Sequence, residues 1–184
     1  MRNPFCTSAR LYLRALEPAD APLLAACNND PDVRQSFFTH TPTSLHAQEE
    51  AIRGFYHEGA TYLPFAVCLK ADDTPMGVTA WHRIDRVSRA AVFSICLCHG
   101  QHRGHGYGRE ATELMMAMAF DVMNLHRVHL HVWAGNHAAL RTYEQCGFVR
   151  EGLLREAMMH HGQWCDFVVM GLLEHDWRSR QQPA

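Results

Sequence analysis

The chain contains no run of about eighteen apolar residues, so no segment of it is long enough to span a bilayer as a helix. Met1 to Thr7 has no charged stretch leading into an apolar one, so no secretory leader is read there. An excess of charge of one sign is also missing. The formal net charge of −2 gives no reason to expect nucleic acid or an anionic membrane as partner. Paired CxxC and HExxH spacings, which would make a metal site a strong expectation, do not occur. There is no internal repeat, low-complexity tract or linker.

What is present reads as a globular protein. With 184 residues, 20% of them charged and 47% hydrophobic, the chain fits one domain with a sizeable core. That domain is read over residues 8–177, followed by a loose polar tail at 178–184. Seven cysteines, an odd number scattered mostly through apolar runs, read as reduced core thiols of a cytoplasmic protein. Fourteen histidines raise the question of metal. His129 and His131 would share one face of a strand, Cys96 and Cys98 another, and His160 and His161 are adjacent. Lacking a ligand spacing, the histidines read as half-exposed strand residues, and no metal is expected.

Along the chain, Arg10–Leu16 alternates around Leu11 and Leu13 and reads as a first strand, closed by Glu17-Pro18. Pro18 then opens a helix to about Asn28. A short helical piece through Phe37-Phe38 precedes a second helix that starts at Thr41–Ser44 and runs to about Glu58. Tyr62–Lys70, Met76–Ile84 and Ala90–Cys98 follow as an antiparallel meander. Ala111, Leu114, Met115, Met118, Ala119, Val122 and Met123 mark one apolar face of the clearest helix. Val128, Leu130 and Val132 alternate in the next strand. Asn136 caps a helix bearing Leu140 and Tyr143, which Gly147 ends. Phe148–Met159 and Gln163–Leu173 flank His160-His161-Gly162 as a hairpin. A strand, helix and strand after a meander imply a right-handed parallel crossover and hence a mixed sheet, with a crevice where two strands splay.

Gln101-His102-Arg103-Gly104-His105-Gly106-Tyr107-Gly108 stands directly before the clearest helix. Gly104 and Gly106 can reach backbone angles that bring N–H groups close to an anion, the helix adds its own N-terminal donors, and Arg103 adds a charge. Pyrophosphate is one ligand for such a loop; a close-packing connector is the alternative.

Gln101-x-x-Gly104-x-Gly106, together with Asn136-x-x-Ala139-x-x-x-Tyr143-x-x-x-Gly147-Phe148, resembles the GNAT superfamily of acyl-coenzyme A-dependent N-acyltransferases. Arg10-Leu-Tyr-Leu-Arg, Asn29-Asp30-Pro31-Asp32-Val33 and Gly152-x-x-Arg155-Glu156 are similar to its Rim-type branch, which acetylates N-terminal amines of ribosomal proteins, and to its polyamine-acetylating relatives. The resemblance implies an α/β fold: a mixed, mostly antiparallel sheet of about seven strands, flanked by helices, with a splayed pair that binds coenzyme A. It implies acetyl-coenzyme A as co-substrate, an amine acceptor, no metal, and a monomer or homodimer.

By the same resemblance, backbone groups around Ile95 and Leu97 hold the pantetheine arm. Gln101, His102, Arg103, Gly104, His105, Gly106, Tyr107 and Gly108 hold the pyrophosphate. Asn136 and Ala139 meet the pantetheine region, and Tyr143 is the acid toward the leaving thiolate. Many relatives carry a glutamate in a pattern like A-E-L-G-I; here the stretch is Ala91-Val92-Phe93-Ser94-Ile95, and Val92 takes no proton. His82 is the best replacement base, because its ordinary pKa of about 6.5 suits neutral pH. Ser94 and Asp85 are alternatives that would order a water chain, and a third possibility is that the amine arrives neutral. The expected activity is acetyl transfer to a primary amine by direct attack in a ternary complex, the acceptor being a protein or peptide N-terminus, a polyamine or another small amine. The competing reading is a sensor that binds acyl-coenzyme A without turnover.

Overall fold

The computed structural model describes residues 1–34, 41–98, 104–160 and 162–181. Eight strands form one sheet: β1 (Cys6–Thr7), β2 (Leu11–Arg14), β3 (Leu63–Leu69), β4 (Pro75–Asp85), β5 (Ala90–Leu97), β6 (Arg127–Trp133), β7 (Val149–His160) and β8 (Gln163–Leu173). Their order is β1-β2-β3-β4-β5-β6-β8-β7. Every pairing is antiparallel except β5 with β6. The helices are α1 (Ala21–Asn29), α2 (Pro31–Arg34), α3 (Leu45–Phe55), α4 (Tyr107–Ala117), α5 (His137–Gln145) and α6 (Glu174–Gln181). This is the mixed, mostly antiparallel sheet read from the sequence, with the two-residue β1 added at one edge.

Strand alternation divides the core in two. On one face Leu11, Leu13, Phe65, Trp81, Phe93 and Leu130 pack with Ala111 and Met115 of α4. On the other, Tyr12, Ala66 and Cys68 pack with Leu24 of α1 and Ile52 of α3. β2 is covered on both faces, so Tyr12 and Arg14 are buried along with the two leucines. A buried cation needs a partner. Arg14 Nη1 and Nη2 donate to the Asp20 carboxylate at 2.6 and 2.8 Å, while the Glu17 N–H donates to the same carboxylate at 2.8 Å.

α4 runs into a π turn at Met118–Val122, which shifts the helical phase. Phe120 is therefore buried, and Val122, expected on the apolar face, is 62% exposed. Residues 178–181 form the end of α6, where the sequence suggested a loose tail. Arg178 bonds Glu174 and Asp121, and Arg180 donates to the Gln145 carbonyl. Cys27 and Cys98 are disulfide-bonded, a correction to the reading of every cysteine as a reduced thiol. That reading came from a scattered, odd count, which carries no information about which sulfurs the fold brings together. Phe37 and Phe38 lie outside the described residues. No described helix is long and apolar enough to cross a membrane.

Candidate active site

β5 and β6 pair only over Ala90–Val92 against Arg127–His129. Beyond Val92, β5 stays with β4 as far as Leu97, and β6 stays with β8 as far as Trp133. The two strands diverge into a wedge. The β5 wall, from Phe93 to Leu97, lies past the last register pair with β6. Ile95 and Leu97 are half-buried against the main core, and Leu97 also approaches the first turn of α4 at Gly108.

Gln101, His102 and Arg103 lie outside the described residues, so the loop is seen from Gly104 onward. Gly104 and Gly106 adopt φ of 81° and 79°, a conformation that penalises any residue with a Cβ. Gly106 caps α4, accepting from the Glu110 N–H at 3.1 Å. The Gly108 and Arg109 amides precede that first helical bond, so helix geometry gives them no acceptor within the helix. Together with the positive end of the α4 dipole they suit a phosphate. Arg10, quoted in the sequence only as context, braces this junction. Its Nη1 donates to the His105 carbonyl at 3.0 Å, its Nε to Glu110 at 2.7 Å, and its guanidinium lies 4.5 Å over the Tyr107 ring.

α5 follows β6 and brings Tyr143 against the β5 wall. Asn136 caps the helix, its side chain accepting from the Ala139 N–H at 3.1 Å. At the other end Gly147 adopts φ of 97°, and the Phe148 N–H closes on the Tyr143 carbonyl. Tyr143 packs edge-on against Phe93 of β5 and against Phe148. Burial, followed by the Cys146 and Cys96 thiols, pushes its hydroxyl above the ordinary phenol range, so it keeps its proton at neutral pH.

On the face away from the main core, His82 Nε2 lies 2.7 Å from the Ser94 hydroxyl. Its ring stands 4.8 Å from that of Tyr62. His82 is the last residue before a bulge in β4 at which Arg83 takes φ of 49°, a device that turns a side chain out of simple alternation. Burial, and then the Arg83 charge, lower its pKa, so its imidazole is neutral at pH 7. Asp85 does not join this pair. Its carboxylate accepts from the Val87 and Ser88 amides at 2.8 and 2.9 Å and closes the β4–β5 turn.

The register brings a further histidine beside Val92 that the sequence reading had not paired with it. Val92 pairs with His82 on one side and with His129 on the other. His129 is half-buried, its Nδ1 is buried without a hydrogen-bond partner, and burial lowers its pKa. Finding it needed the order β4-β5-β6, which spacing along the chain does not contain.

The Acetyltransferase (GNAT) domain model matches residues 10–149. The spermidine N(1)-acetyltransferase of Vibrio cholerae is 29% identical over 175 residues, covering 95% of this chain and 99% of the relative. A putative ribosomal N-acetyltransferase of Bacillus subtilis, YdaF, is 27% identical, covering 93% of this chain and 95% of its own length. A crystal structure of the Vibrio cholerae spermidine N-acetyltransferase, in complex with coenzyme A and spermine, superposes with a TM-score of 0.86. That likeness covers 93% of this chain and 99% of that one.

Proposed function

The chain belongs to the GNAT acetyltransferase family, and from that premise we propose that it moves acetyl from acetyl-coenzyme A to a primary amine within the β5–β6 wedge. The observation that carries this is the wedge itself, which has the Tyr143 helix on one side and the His82–Ser94 pair beside its β5 wall. The pantetheine arm runs along β5 beyond Val92, where β6 has diverged, and pairs with it as a strand would. The pyrophosphate meets Gly104, Gly106 and the first turn of α4. Asn136 and Ala139 border the arm from the far side.

The amine nitrogen attacks the thioester carbonyl, forming a C–N bond and a tetrahedral oxyanion that a β5 N–H stabilises. His82, oriented by Ser94, takes the proton that the amine must lose. The C–S bond then breaks, and Tyr143 gives its proton to the thiolate. The dry setting that holds the phenol proton also raises the basicity of the leaving sulfur. The products are the N-acetyl amine and coenzyme A, and solvent restores both protonation states. Polyamines and peptide N-termini are the acceptor classes to test first, since the relatives bear those names.

Exchange of Tyr143 for Phe tests the assignment against a sensor. An enzyme using this acid loses about 100-fold in kcat and keeps its coenzyme affinity within about threefold. Unchanged turnover would remove Tyr143 from the mechanism.

A further inference from the structure

Cys27 on α1, Cys96 on β5 and Cys98 just past its end bring their three sulfurs within 4.8 Å of one another. Among the described residues this is the one group of three His, Cys, Asp or Glu side chains gathered so closely. The main chain fixes it. Cys96 and Cys98 are two apart and share a face, and the Cys98 N–H donates to the Met76 carbonyl at 2.9 Å. Gly77 lets β4 lie directly against the Cys96 carbonyl, since a Cβ there would come to 2.0 Å from that oxygen. α1 packs over the same face through Leu24, next to Val78.

A disulfide needs two sulfurs, and Cys27 and Cys98 form one across a Cα–Cα distance of 5.3 Å. The third sulfur, Cys96 Sγ, is 4.0 Å from Cys98 Sγ. In a tetrahedral zinc site with Zn–S near 2.3 Å, two sulfurs stand roughly 3.8 Å apart. The Cys96–Cys98 separation matches such an edge. The two bonded sulfurs part to a similar distance once their bond is reduced, with little demand on a backbone already at 5.3 Å.

We propose that, when the Cys27–Cys98 bond is reduced, Cys27, Cys96 and Cys98 bind a soft divalent metal ion, zinc above all, as a three-thiolate site. A phosphine reductant supplies two electrons and opens the S–S bond; water gives the phosphine its oxide oxygen and the two sulfurs their protons, leaving two thiols. The ion then displaces the three thiol protons, and water takes the fourth position. Disulfide and metal use the same sulfurs and exclude each other. The site borders the β5 wall of the wedge, where the Cys96 thiol also acts on the Tyr143 hydroxyl, but the proposal does not rest on the function proposed above.

The test is a titration of the full chain, reduced with a phosphine under argon, with Co²⁺ as optical probe and Zn²⁺ as competitor. The expected result is one cobalt per chain, a thiolate-to-cobalt charge-transfer band, and its loss as zinc displaces cobalt. Cys96→Ser weakens binding by at least about tenfold and removes about a third of the band. Cys165→Ser changes neither, and the oxidised chain gives no band. Because Cys96 is outside the disulfide, its variant decides the matter even where Cys27→Ser or Cys98→Ser fails to fold. Cobalt bound without the charge-transfer band, or a band unchanged in Cys96→Ser, overturns the proposal.

Discussion

His82 Nε2 lies 2.7 Å from the Ser94 hydroxyl across the β4–β5 pair, beside the valine that stands where many relatives carry glutamate. In the proposed mechanism the base sits one strand over, on β4. Burial, with the Arg83 charge, holds its pKa below the ordinary histidine value, so the imidazole is neutral above about pH 6.5 and gains a proton only below it.

For His82→Gln, the expected loss in kcat is about 100-fold at neutral pH. At saturating acceptor, the parent's acid limb should fall below pH 6.5 and be absent from the variant. A variant with the parent's acid limb and rate would mean that the amine arrives neutral and needs no base.

Asp20 tests the buried pair under β2. Asp20→Asn leaves Arg14 as an uncompensated buried charge and should cost about 3–5 kcal/mol in urea unfolding at pH 7. Burial alone would raise the Asp20 pKa, but the Arg14 and Glu17 hydrogen bonds bring it below the usual carboxylate range. Its contribution is therefore complete above about pH 4 and is lost as pH falls through the lower folded value. The parent and variant curves should converge at low pH; a gap that stays constant would place the effect elsewhere.

Gly104 and Gly54 separate backbone conformation from space, since a Cβ at either meets nothing within 4 Å. Gly104→Ala carries strain of roughly 1–2 kcal/mol because of its φ of 81° and should weaken coenzyme A binding about tenfold. Gly54→Ala, inside α3, should stabilise the fold by about 0.5–1 kcal/mol in thermal melts. Equal effects at the two positions would contradict the reading of the loop.

Much of this was legible in one dimension. The strands around Leu11 and Leu130 follow from alternation, those around Phe65 and Phe93 from short runs bounded by turns, and the Asn136 cap and the Gly147 stop from local chemistry. Val122 was not legible, because a π turn resets the helical period without any proline or glycine to announce it. Alternation around Leu11 and Leu13 does not tell that Tyr12 and Arg14 between and beside them are buried too; Tyr12 is covered by α1 and α3. The neighbours of Val92 and the meeting of Cys27 with Cys96 and Cys98 depend on register and on helix placement, neither of which spacing encodes.

The most direct measurement is coenzyme A thiol release from acetyl-coenzyme A by the purified chain, with spermidine, an unblocked peptide N-terminus and simple alkyl amines supplied in turn. Mass spectrometry of the acceptor would run in parallel. The account predicts amine-dependent thiol release matched one for one by an N-acetylated product. Tight coenzyme binding with no amine-dependent release from any of them would contradict it and leave the wedge as a binding site alone.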